Sequence, residues 1–297
     1  MLEEKVNFLS EGVKLFGLFA RPRKNQRNKY PCVILAHGYI NSKDEFGGFR
    51  ELAEALVESQ RCVLRFDFRG CGDSGGEYGR MLCATDWPLD LKNALSYALT
   101  RPEVDGHRIA LIGQSMGGST VSYLGAFDDR VKTIISMAAV ADGRNWLEQL
   151  WVRQRGHVAW KEFLQEIRVD QKNRVLQGIS KCIHSADALA RDEAAKHQME
   201  LWAAEFPYYQ MEVPLESVES LMACRPVDVA HRISCPIMFM HGLVDNLVPP
   251  VNCDLLYENS RGKKSRELIE DAGHDLPIGN KKEHVKSLIM AWLDEYL

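Results

Sequence analysis

The stretch Ile109-Ala110-Leu111-Ile112-Gly113-Gln114-Ser115-Met116-Gly117-Gly118 ends an apolar run in a serine flanked by glycines. Glycines two residues before and two after Ser115 fit a nucleophile carried on a sharp strand-to-helix bend. Side chains at those positions would collide on such a bend, while the hydroxyl stays exposed at its tip. The chemistry this suggests is nucleophilic attack on a carbonyl carbon. A serine hydroxyl is a poor nucleophile at neutral pH, so it needs a base within hydrogen-bond reach and a carboxylate to orient that base.

The late chain supplies both. MFMHGLVDNLVPP (238–250) carries Asp245 just beyond a strand-like run, and EDAGHDLP (270–277) carries His274 behind a glycine. The order serine, acid, histidine places all three at the carboxyl edge of a parallel sheet. His37 and His241 each precede a glycine at a strand end and read as structural hydrogen-bonding groups. His107, His157, His184, His197, His231 and His284 lack the loop position of His274. Asp271 and Asp275 sit too close to His274 along the chain to aim easily at its ring, so Asp245 is preferred as the acid. Charge developing on a substrate oxygen needs donors. The backbone N–H of Met116, at a helix amino end, is one; that of Tyr39, in the loop HGYINS, is the other. The Tyr39 phenol either closes over the site or packs away from it.

Positioning these groups requires a sheet. CVILAHG (32–38), CVLRFDFRG (62–70), RIALIGQS (108–115), VKTIISMAAV (131–140) and CPIMFMHG (235–242) are nearly unbroken apolar runs, as strands buried on both faces are. Helical patterns lie between them at 45–60, 85–101 and 116–127. KVNFLS and VKLFGLFARP predict an opening antiparallel pair turned at 11–12, and a strand at 265–271 and a helix at 282–297 close the series. The alternation predicts an α/β class with a mostly parallel central sheet flanked by helices. RGCGDSGGEYGR (69–80) falls where such sheets put ligand-side loops, but is too irregular for a dinucleotide fingerprint.

The rhythm breaks at 141–232, which has no clear strand pattern and reads as several amphipathic helices inserted into a core of 1–140 and 233–297. Four of the six tryptophans fall there. Such aromatics either build the insertion's own core or line an apolar pocket, with Trp146, Trp151, Tyr208 and Tyr209 as substrate-binding candidates. Aromatics left exposed would favour a homodimer.

Apolar residues make up 45% and charged residues 26%, ordinary for a folded globular chain. A net charge of −4 gives no pull toward nucleic acid, and the basic run RPRKNQRNKY (21–30) reads as a solvated hairpin or loop. MLEEKVNFLS has acidic residues where a signal peptide is positive, and no apolar run approaches the ~20 residues of a membrane span. A cytoplasmic protein is expected, with its eight scattered cysteines as buried free thiols rather than zinc ligands.

With HGY, RGCGDSGG, GQSMGG, HGLVDNLVP and AGHDL in order, the chain resembles the α/β-hydrolase superfamily over about residues 10–140 and 233–297. Within it, the sequence is similar to capped serine esterases of the feruloyl and cinnamoyl esterase type, and more distantly to serine aminopeptidases and dienelactone hydrolase-like proteins. The resemblance implies Ser115 as nucleophile, His274 as base and then acid, Asp245 as its orienter, and Tyr39 and Met116 as oxyanion donors. It implies ester hydrolysis through an acyl-enzyme, with no metal or organic cofactor and with 141–232 as a helical cap. An amidase, a peptidase or a carbon–carbon bond hydrolase can use the same triad. A non-catalytic binding protein on the same fold is the remaining alternative.

Overall fold

Two hairpin strands open the chain because Glu11 and Gly12 both adopt positive φ (46° and 82°), as a two-residue turn matched to strand twist requires. The computed structural model describes residues 1–23 and 29–297. β1 (Leu2–Ser10) and β2 (Val13–Arg21) are the expected antiparallel pair. Residues 24–28 of the basic run lie outside the described residues, and with them most of the loop expected there.

The apolar runs become β3 (Tyr30–Ala36), β4 (Cys62–Phe66), β5 (Val104–Gln114) and β6 (Thr133–Met137). Between them lie α1 (Gly48–Glu58), α2 (Asp86–Thr100) and α3 (Met116–Gly125). The helix expected from residue 45 starts only at Gly48, because Glu45 and Phe46 are held at positive φ.

Between β6 and the next strand of the sheet the chain makes α4 (Gly143–Gln177), interrupted at Gly156, then β7 (Cys182–His184), α5 (Ser185–Ala188), α6 (Glu193–Glu205), β8 (Glu212–Pro214) and α7 (Leu215–Ala223). The antiparallel β7–β8 ribbon departs from the all-helical expectation. Each strand is three residues long, too short for an alternating pattern to register in sequence. The segment leaves and returns at one place: the Gly143 N–H donates to the Cys224 carbonyl at 2.8 Å, and the Val227 N–H to the Ala141 carbonyl at 3.2 Å.

β9 (Ile237–Gly242), α8 (Val251–Asn259), β10 (Lys264–Ile269) and α9 (Lys282–Tyr296) complete the chain. The eight-stranded sheet runs β1-β2-β4-β3-β5-β6-β9-β10, parallel from β4 to β10. Alternate residues of its strands feed two cores. Cys32, Ile34, Ile109 and Leu111 pack toward α2 and α3; Val33, Leu35, Ala110 and Ile112 pack toward α1 and α9. Strand order reverses beside β3 and β5, and α/β sheets open a crevice at the carboxyl ends of such strands.

All eight cysteines are free; Cys182 on β7 is exposed and Cys235 half-buried, while the other six are buried as expected. Among the described residues no helix is long and apolar enough to cross a membrane.

Candidate active site

Ser115 follows β5 directly and precedes α3, with φ 55° and ψ −121°. Such a conformation costs a non-glycine residue about 1–3 kcal/mol and persists only where surrounding contacts impose it. Here the Ser115 N–H donates to the Met137 carbonyl at 2.8 Å. The flanking glycines permit the bend. A Cβ on Gly113 would lie 2.2 Å from the Gly117 carbonyl oxygen, and one on Gly117 would lie 2.0 Å from that of Ala36. Gly117→Ala is therefore expected to destabilise the protein by about 3 kcal/mol or more. Urea unfolding measures this, and an unchanged midpoint contradicts the packing described.

The loops after β9 and β10 bring the partners to that bend. His274 Nε2 is 3.0 Å from Ser115 Oγ, and Nδ1 is 2.7 Å from Asp245 Oδ2. With Asp245 ionised, Nδ1–H donates to it and Nε2 is left to accept the serine proton. The His274 carbonyl accepts from Gln114 Nε2 at 2.7 Å, which ties the histidine loop to the residue before the serine. Asp245 Oδ1 accepts from the N–H groups of Leu247 (2.9 Å) and Val248 (2.8 Å), fixing the carboxylate plane.

Charge follows geometry. Burial alone would raise the Asp245 carboxyl, but the His274 charge and hydrogen bonds from His241 and His274 hold it below the usual carboxylate range. Burial alone would lower His274; Asp245, by charge and hydrogen bond, then Asp275 and Glu45, raise it above the ordinary imidazole range. Three carboxyl groups thus act on one ring.

His37 and His241 are structural, as their sequence positions indicate. His37 Nε2 accepts from the Phe68 N–H at 3.1 Å, so its Nδ1–H is the donor to the Gly38 carbonyl at 2.8 Å. Burial takes its pKa down to about 4, against the pull of Asp67, which keeps this neutral tautomer in place at neutral pH. His241 Nε2 lies 2.7 Å from the Val248 carbonyl and 3.2 Å from Asp245 Oδ2.

The N–H groups of Tyr39 and Met116 have no acceptor among the described residues, and both residues line the cavity beside Ser115. The Tyr39 phenol packs away, among Cys71, Cys83 and Ser217, and burial pushes its hydroxyl well up.

A cavity of about 340 Å³ lies over Ser115 and His274. Trp146 and Tyr209 line it as expected, Trp146 fixed by donation from Nε1 to the Leu247 carbonyl at 2.8 Å. Trp151 does not. It stacks on Phe163 at 4.1 Å inside the insertion, and its Nε1–H donates to the Ala188 carbonyl at 3.1 Å. Tyr208 does not either: its hydroxyl donates to Asp73 at 2.7 Å and Lys43 sits over its ring, outside the cavity. Phe46, Leu189, Met199 and Trp202 supply apolar wall, and Glu45, Arg191 and Asp275 polar wall; of these the sequence points only to Asp275, as an alternative acid for His274, and to Trp202, among the tryptophans of the insertion. Trp146, Trp151 and Trp160 are buried, while Trp202, Phe206 and Tyr208 of the same segment are half-buried. The 69–80 loop does not line the cavity.

A protein of Escherichia coli called an uncharacterized 31.7 kDa protein in the traX-finO intergenic region is 27% identical over 295 residues, covering 97% of this chain and 98% of its own. The α/β hydrolase GrgF of a Penicillium species superposes with a TM-score of 0.81 at 20% identity, over 100% of this chain and 99% of that one. Est1E of Butyrivibrio proteoclasticus, solved with ferulic acid bound, gives a TM-score of 0.73 at 18% identity, over 98% of each chain. The family model described as serine aminopeptidase, S33, matches residues 28–280, and the chain belongs to that family of α/β hydrolases.

Proposed function

We propose that this chain is a serine hydrolase that cleaves a carboxylic ester of a small apolar or aromatic substrate through an acyl-enzyme. The observation that carries the reading is the unbroken hydrogen-bonded chain Ser115–His274–Asp245 under a largely apolar cavity. Ser115 Oγ attacks the carbonyl carbon as its proton passes to His274 Nε2. The N–H groups of Tyr39 and Met116 receive the oxyanion, with the α3 dipole adding to the second. The tetrahedral intermediate collapses, the C–O bond breaks and the alcohol leaves with the proton from His274. Water, deprotonated by the same nitrogen, then releases the acid and frees Ser115.

The 141–232 segment acts in this reading as a cap that sets substrate shape, since Trp146, Met199, Trp202 and Tyr209 come from it. Free cysteines, most of them buried, favour a reducing cytoplasm. The ferulic acid complex of Est1E favours an aromatic acyl group.

A fluorophosphonate probe is expected to label Ser115, located by peptide mapping, and short p-nitrophenyl esters are expected to turn over faster than the matching peptide amides. Absence of label rejects the reading. The family's description as serine aminopeptidase favours a peptidase as the second reading, and faster cleavage of the amides would establish it.

A further inference from the structure

Glu45 takes no part in the chain Ser115–His274–Asp245, yet it is only 4% exposed and lines the same cavity. Its Oε2 accepts from the Gly38 N–H at 2.7 Å, and Oε1 from Asn41 Nδ2 at 3.1 Å. The next peptide, joining Gly38 to Tyr39, carries the N–H placed as an oxyanion donor. Its carbonyl is already held by His37 Nδ1. A peptide unit is planar, so holding the carbonyl sets the line of the N–H on the opposite edge. That bond alone leaves the unit free to swing about the permissive φ and ψ of Gly38. A second restraint, on the Gly38 N–H, removes this freedom.

We infer that Glu45 is a positioning residue of the oxyanion hole, its carboxyl holding the Gly38 N–H so that the Tyr39 N–H stays aimed at the oxygen forming beside Ser115. The inference rests on the serine hydrolase reading.

The local backbone is bent to make this contact. Glu45, Phe46 and Gly47 are consecutively left-handed, with φ of 43°, 53° and 89°. Strained non-glycine residues persist where surrounding structure imposes them. Here the Glu45 N–H donates to the Ser42 carbonyl at 3.0 Å, and the Asp44 carbonyl accepts from Gly47 (2.8 Å) and Phe49 (3.1 Å). The Asp44 carboxylate pairs with Arg65. The turn sends Glu45 under Gly38 and Phe46 into the insertion, where its ring meets Trp202, Phe206 and Tyr209 at 5.2–5.5 Å. Contacts from the insertion therefore hold the turn that holds Glu45.

Burial, offset by the Gly38 N–H, aided by Asp275 and opposed by His274 and Asn41, leaves the Glu45 carboxyl raised to about 8. The restraint does not require ionisation, because a protonated carboxyl keeps a carbonyl oxygen for the Gly38 N–H. Glutamine, the neutral isostere, is thus the conservative replacement and alanine the disruptive one.

The test measures kcat and KM on one p-nitrophenyl ester, with melting temperature and probe labelling, for the wild type, Glu45→Ala and Glu45→Gln. Glu45→Ala is expected to lower kcat about 100-fold or more with KM within about 3-fold, the signature of a contact that matters in the transition state. Glu45→Gln is expected to keep kcat within about 10-fold of wild type. If Glu45→Ala does not fold, Glu45→Asp makes the same comparison, with the carboxyl withdrawn from Gly38 by one methylene. A kcat unchanged in the disruptive variant, a loss confined to KM, or glutamine as damaging as alanine overturns the inference. An unlabelled, inactive wild type rejects the hydrolase reading and this inference together; a labelled, active wild type matched by Glu45→Ala rejects this inference alone.

Discussion

Ser115→Ala is expected to leave a folded protein whose ester turnover falls by about 10⁶-fold. The scale follows from the mechanism proposed: without the hydroxyl no acyl-enzyme can form, His274 has no proton to take, and only binding and the oxyanion donors remain. Alanine keeps the Cβ and so keeps the left-handed bend at φ 55° with its strain. Glycine at the same position abolishes activity equally but releases the strain, and is expected to stabilise the fold by about 1–3 kcal/mol. Stopped-assay kinetics and urea melts on both variants measure the pair of effects. Near-normal turnover in Ser115→Ala ends the assignment of the nucleophile. A glycine variant no more stable than the alanine one shows that the bend is not under load.

Asp245→Asn is expected to reduce kcat about 10⁴-fold and to move the acid limb of kcat/KM to lower pH. The size reflects the tautomer. An asparagine amide can donate to Nδ1, which leaves the proton on Nε2, where it blocks acceptance from Ser115. The sign of the pH shift follows from charge. His274 must be neutral to act as base, so activity appears as pH rises through its pKa. Asp245 raises that pKa, so the wild-type limb lies above the roughly 6.5 of a free imidazole, and removing the carboxylate lowers it. Asp275 and Glu45 face the same ring and push the same way, so the variant retains part of the elevation. A pH–rate profile in low-salt buffer measures this. A limb that stays in place after Asp245→Asn shows that the carboxylate does not act on the ring.

Much of the site was legible before coordinates because its chemistry is local. A serine between Gly113 and Gly117 after an apolar run admits few structures; Asp245 sits a few residues past β9, whose apolar content announces it, and His274 a few residues past the more polar β10. The central strands were legible for the same reason: burial on both faces leaves no polar residue to blur the run. What escaped was whatever depends on which way a side chain faces. Trp151 and Trp146 share α4, five residues apart, but only Trp146 looks into the cavity. Nothing in their identities separates them. Tyr208 and Tyr209 are neighbours in an irregular stretch and point to different sides. Glu45 opens the helical pattern expected over 45–60, but the left-handed turn at 45–47 makes it a buried acceptor for the Gly38 N–H instead. Helix α8, after Pro249 and Pro250, carries no strong apolar stripe and left little trace in the sequence pattern.

The Gly143–Cys224 and Ala141–Val227 hydrogen bonds pinch the two ends of the insertion together at one seam of the core. Ser115 precedes that seam and Asp245 and His274 follow it, so all three lie outside the inserted segment. Recombination at the seam therefore gives evolution, or an engineer, a plug-in position: new cavity walls can be grafted while Ser115, Asp245 and His274 stay on the core.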